Sequence, residues 1–240
     1  MIPLPSSWAT LVDEADERDA ASDKFAGWPL PPGHVYGTLL NRQADVARLQ
    51  QLAGGGWKDS VYKAAPQAPV LYLKTPNTYA EDGARVALDG LEAVELGACL
   101  GLVFARRACR VSRAEALSCL AGYVLMLDLA EPHLQVHRPA VRQRCRDGFC
   151  VMGPQLLVEA PALLQLEING TPVQQLAPLQ GLVRDAAQLI ADVSAFMTLE
   201  PGDVLHLGAP LDAPRGRAGD RVRLSAGAAQ LTLQLAEEWA

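Results

Sequence analysis

The stretch DRVRLSAGAAQLTLQL, residues 220–235, contains two runs, DRVRLS and AQLTLQL, in which apolar and polar residues alternate. Successive side chains of a β-strand point to opposite faces, so this alternation predicts two strands. DVLHLG at 203–208 is a third strand-like run, and LLQLEING at 163–170 predicts a strand that ends in an Asn-Gly turn. The C-terminal third is therefore predicted to consist mainly of strands.

The middle of the chain combines further strands with two helices. Ser112 and Glu115 have the spacing of a capping box, which predicts a helix over 112–124, and a second helix is predicted over 181–197. Strands outnumber helices and do not alternate with them regularly, which favours an α+β fold over a doubly wound sheet. The predicted strands of this part are VLYLK at 70–74, ARVAL at 84–88, LGACLGLVF at 96–104 and LMLDL at 125–129.

Three segments are distinguished by composition. Residues 1–33 form an acidic, Pro-rich N-terminal arm, residues 34–66 a small N-terminal subdomain, and residues 67–240 the main domain. Within the subdomain, HVYGTLL at 34–40 predicts a strand, and NRQADVARLQQLAG at 41–54 predicts a helix with an Asn cap and a terminal Gly.

The composition is that of a globular protein that can bury a sizeable core, with 240 residues, 50% apolar and 20% charged. A net charge of −6 and the lack of a dense Lys/Arg run argue against nucleic acid as a partner. No apolar run of about 18 residues occurs, so no membrane partner is expected and the predicted location is cytoplasmic. The 5 cysteines lack the spacing of a metal site and are predicted to be free thiols.

Four stretches carry a resemblance to a known family. They are VLYLKTPNTY at 70–79, residues 105–135, RPAVRQRCRDGFCVMGP at 138–154, and residues 166–210, which include FMTLEPGDV. Together they resemble the fumarylacetoacetate hydrolase (FAH) family, over roughly residues 34–236. RPA and CRDGFC point to the isomerase/decarboxylases of 4-hydroxyphenylacetate (homoprotocatechuate) degradation. These enzymes often have two similar halves, and the chain resembles the N-terminal half.

The resemblance implies a fold, a cofactor and an assembly. The implied fold is a mixed β-sandwich roll of the FAH C-terminal-domain type with a small N-terminal subdomain, and the implied assembly is a homodimer or a hetero-oligomer with a paralogous subunit. Active members hold a divalent cation, Mg²⁺ or Mn²⁺, with three carboxylates. A 2-oxo acid chelates this cation through its carboxylate and keto oxygens, and the cation stabilises the enolate that forms during the reaction.

Two of the three carboxylates are missing from this chain. The family's Glu-x-Glu pair aligns with Gly97 and Cys99, which cannot replace carboxylates for a hard cation, and the third ligand aligns with Asp128. Glu95 lies on the same strand face as Gly97, about 6.6 Å along at ~3.3 Å per residue, and reaches the site only if the strand slips or bulges. The metal site is therefore predicted to be degenerate, with Asp128 and Glu95 as ligands or with no cation bound.

The remaining candidate residues would bind an anionic substrate. Arg144 aligns with a family lysine that holds the substrate carboxylate, and Asp147 with the family aspartate after it. Arginine grips a carboxylate with two parallel hydrogen bonds but scarcely deprotonates. Two roles are possible for each of three residues. Lys74 either contacts the substrate or is solvated. Arg142 either lines the positively charged rim of a pocket or pairs with acidic neighbours, and Asp128 either has a role in the functional site or forms a salt bridge. The predicted catalytic residues are Asp128 and Arg144, and the predicted substrate-binding residues are Lys74, Arg142, Arg144 and Asp147.

The histidines offer weaker candidates. His133 and His137 follow Asp128 closely and could serve as a general base near neutral pH. His206 is expected to be structural, because its neighbours Leu205 and Leu207 would face the opposite side of the strand.

Three functions are compatible with the sequence. The first is an isomerase/decarboxylase that acts on a dicarboxylic 2-oxo acid, such as 5-carboxymethyl-2-oxo-hex-3-ene-1,7-dioate. The second is a catalytically inactive subunit that pairs with an active paralogue, and the missing Glu-x-Glu pair favours it. The third is a C–C hydrolase of acylpyruvate or fumarylacetoacetate type. Whether the chain is itself an enzyme stays open.

Overall fold

A computed structural model describes residues 32–52, 65–132 and 140–238 of the 240-residue chain. In this part the chain forms thirteen strands and four α-helices, with short 3₁₀ turns at Pro76–Thr78 and Leu117–Cys119. The strands are β1 Val35–Leu39, β2 Val70–Lys74, β3 Tyr79–Ala80, β4 Ala84–Ala87, β5 Val94–Phe104, β6 Leu120–Ala130, β7 Cys150–Met152, β8 Leu164–Ile168, β9 Thr171–Leu176, β10 Val204–His206, β11 Arg215–Gly216, β12 Arg221–Ala226 and β13 Ala229–Ala236. The helices are α1 Gln43–Leu52, α2 Arg113–Ala116, α3 Val141–Arg144 and α4 Ala186–Ser194.

The strands form two mixed sheets. The larger has the order β2-β1-β10-β5-β6-β7-β3, and β11 pairs with β5 beside it; the smaller has the order β4-β13-β12-β8-β9. The pairs β1/β10, β3/β7 and β4/β13 are parallel, and the remaining named pairs are antiparallel. The sheets pack on each other through β5, β6, β12 and β13 around one main core. The predicted α+β fold, a mixed β-sandwich roll, is confirmed.

One face of strand β5 packs into the main core, and its other face borders the candidate functional site. Leu96, Ala98 and Leu100 point into the main core. Cys99 points to the other side, where it packs in a second cluster with Met126 and other residues. The alternation confirms that the odd-numbered residues of β5 share a face. The site lies on that face.

The predicted helix after Ser112 is shorter than expected. The capping box of Ser112 and Glu115 is present, but α2 ends at Ala116 and the chain enters β6 at Leu120. The prediction of a helix through 120–124 was therefore wrong. The run LAGYVLMLDLA pairs along its length with β5, and burial between two strands overrides local helix propensity.

The N-terminal predictions of a strand and a helix are confirmed by β1 and α1. Strand β1 is part of the larger sheet, where it lies between β2 and β10. The division into segments at residues 33 and 66 stays a prediction, and nearly all of the N-terminal arm lies outside the described residues. All five cysteines are free. No helix in the described part of the chain is long and apolar enough to cross a membrane.

Candidate functional site

Asp128 lies near the C-terminal end of β6, an interior strand of the larger sheet. Its backbone pairs with Gly97 of β5 on one side and with Cys150 of β7 on the other. Its side chain is only 1% exposed. A carboxylate in this position is costly unless charged and hydrogen-bonding partners surround it.

The Asp128 carboxylate has three partners. The Lys74 ammonium nitrogen lies 2.6 Å from Oδ1, and Arg144 Nη1 donates a hydrogen bond of 2.9 Å to Oδ2. The Tyr72 hydroxyl also donates to Oδ2. Burial by itself would raise the pKa of Asp128, but Lys74 and then Arg144 outweigh burial and lower this pKa below its usual range. Asp128 is therefore a fixed anion and not a proton acceptor near neutral pH.

Lys74 is buried within the protein. Its Nζ group donates hydrogen bonds of 2.7 to 2.9 Å to the backbone oxygens of Leu129, Arg144 and Phe149. All three N–H groups therefore have acceptors, and the expectation of a solvated lysine was wrong. The ammonium group connects β6, α3 and the segment before β7. Its role as a substrate contact stays a prediction, and the observed contacts position Asp128.

Tyr72 links Asp128 to His206. Tyr72 Oη lies 2.8 Å from His206 Nε2, and His206 Nδ1 accepts a hydrogen bond of 3.0 Å from the Gly208 backbone N–H. Since Nδ1 is an acceptor, the proton of neutral His206 lies on Nε2 and is donated to Tyr72. Tyr72 in turn donates to Asp128. Burial lowers the pKa of His206 to about 4 and raises the pKa of Tyr72 well above its usual value.

The Tyr72 ring is held between a glycine and an arginine. Gly37 lies opposite Tyr72 in the β1/β2 pair, and a Cβ atom at Gly37 would come within 2.0 Å of the ring. On the other side, the Arg144 guanidinium carbon lies 4.4 Å from the ring centroid, which is a cation–π contact. The bare backbone of Gly37 is therefore needed for Tyr72 to reach Asp128.

A cavity of about 680 Å³ opens beside this cluster. Its volume is in the range of small-molecule sites. Three arginines and two carboxylates are among its lining residues, and Lys74 lies behind it. The polar and glycine lining residues are Arg48, Tyr72, Glu95, Gly97, Asp128, Gln143, Arg144 and Arg215, and the apolar ones are Leu39, Ala130, Pro132, Ala209, Pro210, Leu211 and Ala213.

The two predicted metal ligands both line the cavity, but the surrounding groups do not fit a cation. Glu95 forms an ion pair of 3.6 Å with Arg215, and both oxygens of Asp128 already contact cationic groups. A Cβ atom at Gly97 would lie 2.6 Å from the Asp128 backbone oxygen, so Gly97 leaves no space for a carboxylate side chain. Among the described residues, no three His, Cys, Asp or Glu side chains are grouped to hold a metal ion.

The other predicted residues lie apart from the cavity. The Arg142 side chain is 81% exposed and lies 4.0 Å from Glu131. Asp147 is exposed and accepts a hydrogen bond of 2.6 Å from Asn77. Their substrate-binding roles stay predictions. His133 and His137 lie outside the described residues.

Sequence reasoning missed Tyr72, Arg48 and Arg215, and it did not place His206 in the site. Tyr72 had a usable signal, because it lies two residues before Lys74 and so points to the same face of the strand. Arg48 and Arg215 come from distant parts of the chain and meet only through the tertiary fold. No local pattern distinguishes them from surface arginines.

The chain is similar to a protein-family model, to known protein sequences and to solved structures. The model of the fumarylacetoacetate (FAA) hydrolase C-terminal family matches residues 34–235. A 4-hydroxyphenylacetate degradation bifunctional isomerase/decarboxylase of Escherichia coli is 34% identical over 198 residues, which is 81% of this chain and 44% of that protein. This chain therefore spans less than half of that relative's length.

Two solved structures share the fold. The 5-carboxymethyl-2-hydroxymuconate delta-isomerase from Mycobacterium smegmatis has a TM-score of 0.69 at 25% identity, over 85% of this chain and 77% of that one. The fumarylpyruvate hydrolase from Pseudomonas aeruginosa, solved with Mn²⁺ and pyruvate, has a TM-score of 0.71 at 18% identity, over 87% and 91% of the two chains. At that identity the second likeness concerns the fold alone.

Proposed function

Since the chain belongs to the fumarylacetoacetate hydrolase family, we propose that it is an isomerase/decarboxylase-type protein acting on a dicarboxylic 2-oxo acid of 4-hydroxyphenylacetate catabolism. The observation that carries the proposal is the arginine-lined cavity beside Asp128. The 34% identity to a relative named for that degradation supports the substrate class.

The arginines of the cavity suit a ligand with two carboxylates. Arg144 lies deep, with a side chain only 12% exposed, whereas the side chains of Arg48 and Arg215 are 48% and 62% exposed. Arg48 pairs with Asp212 at 3.2 Å, and Arg215 pairs with Glu95 at 3.6 Å. One carboxylate of the ligand would bind at Arg144, and the other would bind near the exposed arginines. Because those two arginines are exposed to solvent, they would contribute less to affinity than the deeper Arg144.

Isomerisation is the step that these residues support best. Asp128 is held ionised by its three partners, which leaves Glu95 as the other carboxylate among the described lining residues. Glu95 would remove a proton from the carbon next to the keto group, and the electron pair would move to the 2-oxo oxygen. The resulting enolate would lie near the Arg144 charge. Glu95 would then return the proton to the enolate oxygen or to another carbon of the conjugated chain.

The test is solvent deuterium exchange at C3 of 2-oxoglutarate, a stable dicarboxylic 2-oxo acid, followed by NMR. The chain is expected to accelerate exchange, and Glu95→Gln to slow it by about 100-fold or more, as expected for loss of a general base. Glu92→Gln is the matched control, because Glu92 is exposed and pairs with Arg217. Equal exchange by Glu95→Gln and the unmodified protein would exclude Glu95 as the base.

A second candidate is a non-catalytic subunit that binds the same ligand and pairs with an active paralogue. It is favoured by Gly97 and Cys99 at the positions of the family's carboxylate pair. The same assay separates the two candidates. Ligand binding without exchange, together with a stable complex with a metal-binding paralogue, would support the subunit.

A further inference from the structure

Arg144 has a hydrogen-bond donor that its neighbours do not use. Its Nη1 atom donates to Asp128, but its Nε atom is buried and has no acceptor among the described residues. A buried donor without an acceptor is unfavourable, so an acceptor supplied by a ligand would be stabilising. Arg144 lines the cavity, so a ligand bound there lies beside its guanidinium group.

The orientation of Arg144 is fixed before a ligand binds. The guanidinium group stacks over Tyr72, and the Arg144 backbone oxygen accepts a hydrogen bond of 2.7 Å from Lys74. In a guanidinium group, Nε and Nη2 form the edge that excludes Nη1, and such an edge matches the two oxygens of a carboxylate. A ligand carboxylate can therefore bind to one edge of Arg144 while Asp128 stays bound to Nη1.

The same cluster opposes binding of a divalent cation. A hard cation needs several oxygen ligands, most of them anionic. The Asp128 oxygens contact Lys74, Arg144 and Tyr72, whose positive charges and hydroxyl proton repel a cation. The facing position, Gly97, has no space for a second carboxylate.

We infer that this cavity binds the carboxylate of its 2-oxo acid without a divalent cation, through the Nε edge of Arg144. The inference rests on the proposed function for the class of ligand. It goes further because relatives in this family use a metal ion to bind the anion, whereas here the guanidinium group of Arg144 takes that role.

The experiment is calorimetric titration of the full chain with 2-oxoglutarate, once with EDTA and once with Mn²⁺. The expected dissociation constants agree within about twofold, because no cation takes part. Arg144→Lys keeps the charge but removes the planar fork, and is expected to weaken binding by about tenfold or more. Arg107→Lys is the control, because Arg107 is exposed, pairs with Glu200 and does not line the cavity, so this variant should leave binding unchanged.

A second measurement needs no variant. The electron paramagnetic resonance signal of free Mn²⁺ is expected to stay unchanged when protein is added, with or without 2-oxoglutarate. Loss of that signal, or binding that requires Mn²⁺, would overturn the inference and leave the proposed substrate class standing. Binding unaffected by Arg144→Lys would overturn the role of Arg144. The absence of binding in both buffers would overturn the inference and the proposed ligand class together.

Discussion

The Lys74 ammonium nitrogen lies 2.6 Å from Oδ1 of Asp128, and neither side chain is more than 1% exposed. Lys74 is in β2 and Asp128 is in β6, so the pair joins two strands on opposite sides of β5 in the larger sheet. Arg144 and Tyr72 contact the other Asp128 oxygen. The Asp128 carboxylate therefore carries a negative charge between the Lys74 and Arg144 cations.

Asp128→Asn should lower the free energy of unfolding by about 3–5 kcal/mol, because Lys74 and Arg144 would keep buried positive charges without a counter-ion. Urea denaturation at neutral pH measures the change. Asp147→Asn, at an exposed aspartate, should change stability by less than about 0.5 kcal/mol. Similar losses in both variants would show that Asp128 does not neutralise the two cations.

Gly37→Ala should displace the Tyr72 ring, because the added Cβ would lie 2.0 Å from its nearest ring atom. The expected cost is about 1–3 kcal/mol of stability, as for other overpacked sites. Gly153→Ala is the control, since its Cβ would meet its nearest neighbour, the Leu125 oxygen, at 3.4 Å. A thermal or urea unfolding comparison checks both, and a Gly37→Ala protein as stable as Gly153→Ala contradicts the prediction.

Most strands could be predicted because their periodicity is local. The runs at 220–225 and 229–235 alternate residue by residue, and they form β12 and β13. The helix beyond Ala116 was mispredicted because LAGYV has no strict alternation. Its strand conformation depends on β5, a partner that no local pattern identifies.

The site was predictable only in part. The alignment placed Asp128 and Arg144 in the site, and strand periodicity placed Glu95 on the same face as Gly97; all three line the cavity. It did not predict that Lys74 would be buried against Asp128, because burial depends on where α3 and the segment before β7 lie in space. The sequence likewise indicated that Gly97 lacks a carboxylate, but not that the space for one is filled.

The double variant Gly97→Glu, Cys99→Glu restores the family's carboxylate pair in sequence, and the alignment alone predicts that it would bind metal. The structure predicts lost stability instead. The Cβ atom of a glutamate at position 97 would lie 2.6 Å from the Asp128 backbone oxygen. Cys99 is 1% exposed and lies in an apolar cluster. We expect a loss of more than about 3 kcal/mol and no Mn²⁺ binding by calorimetry. Gly97→Ala separates the steric effect from the charge, and a folded double variant that binds Mn²⁺ contradicts the prediction.

His206 should make stability depend on pH in the mildly acidic range. Its pKa is about 4 in the folded protein, and an unfolded histidine has a pKa of about 6.5. Between these values the unfolded chain binds a proton that the folded chain does not, so stability is highest above about pH 6.5 and falls as the pH drops toward 4. The lowered pKa of Asp128 acts in a more acidic range, because its stabilisation is lost only below the pKa of about 3.9 for an unfolded aspartate.

The pH effect of His206 is testable by urea denaturation at several pH values between 4.5 and 7. The stabilisation lost across the whole interval is on the order of 3 kcal/mol for the unmodified protein. His206→Gln is less stable at pH 7, because Gln cannot reproduce both hydrogen bonds of the ring, but its stability should fall less as the pH decreases. If His206→Gln and the unmodified protein lose stability in parallel, then His206 is not the group that titrates.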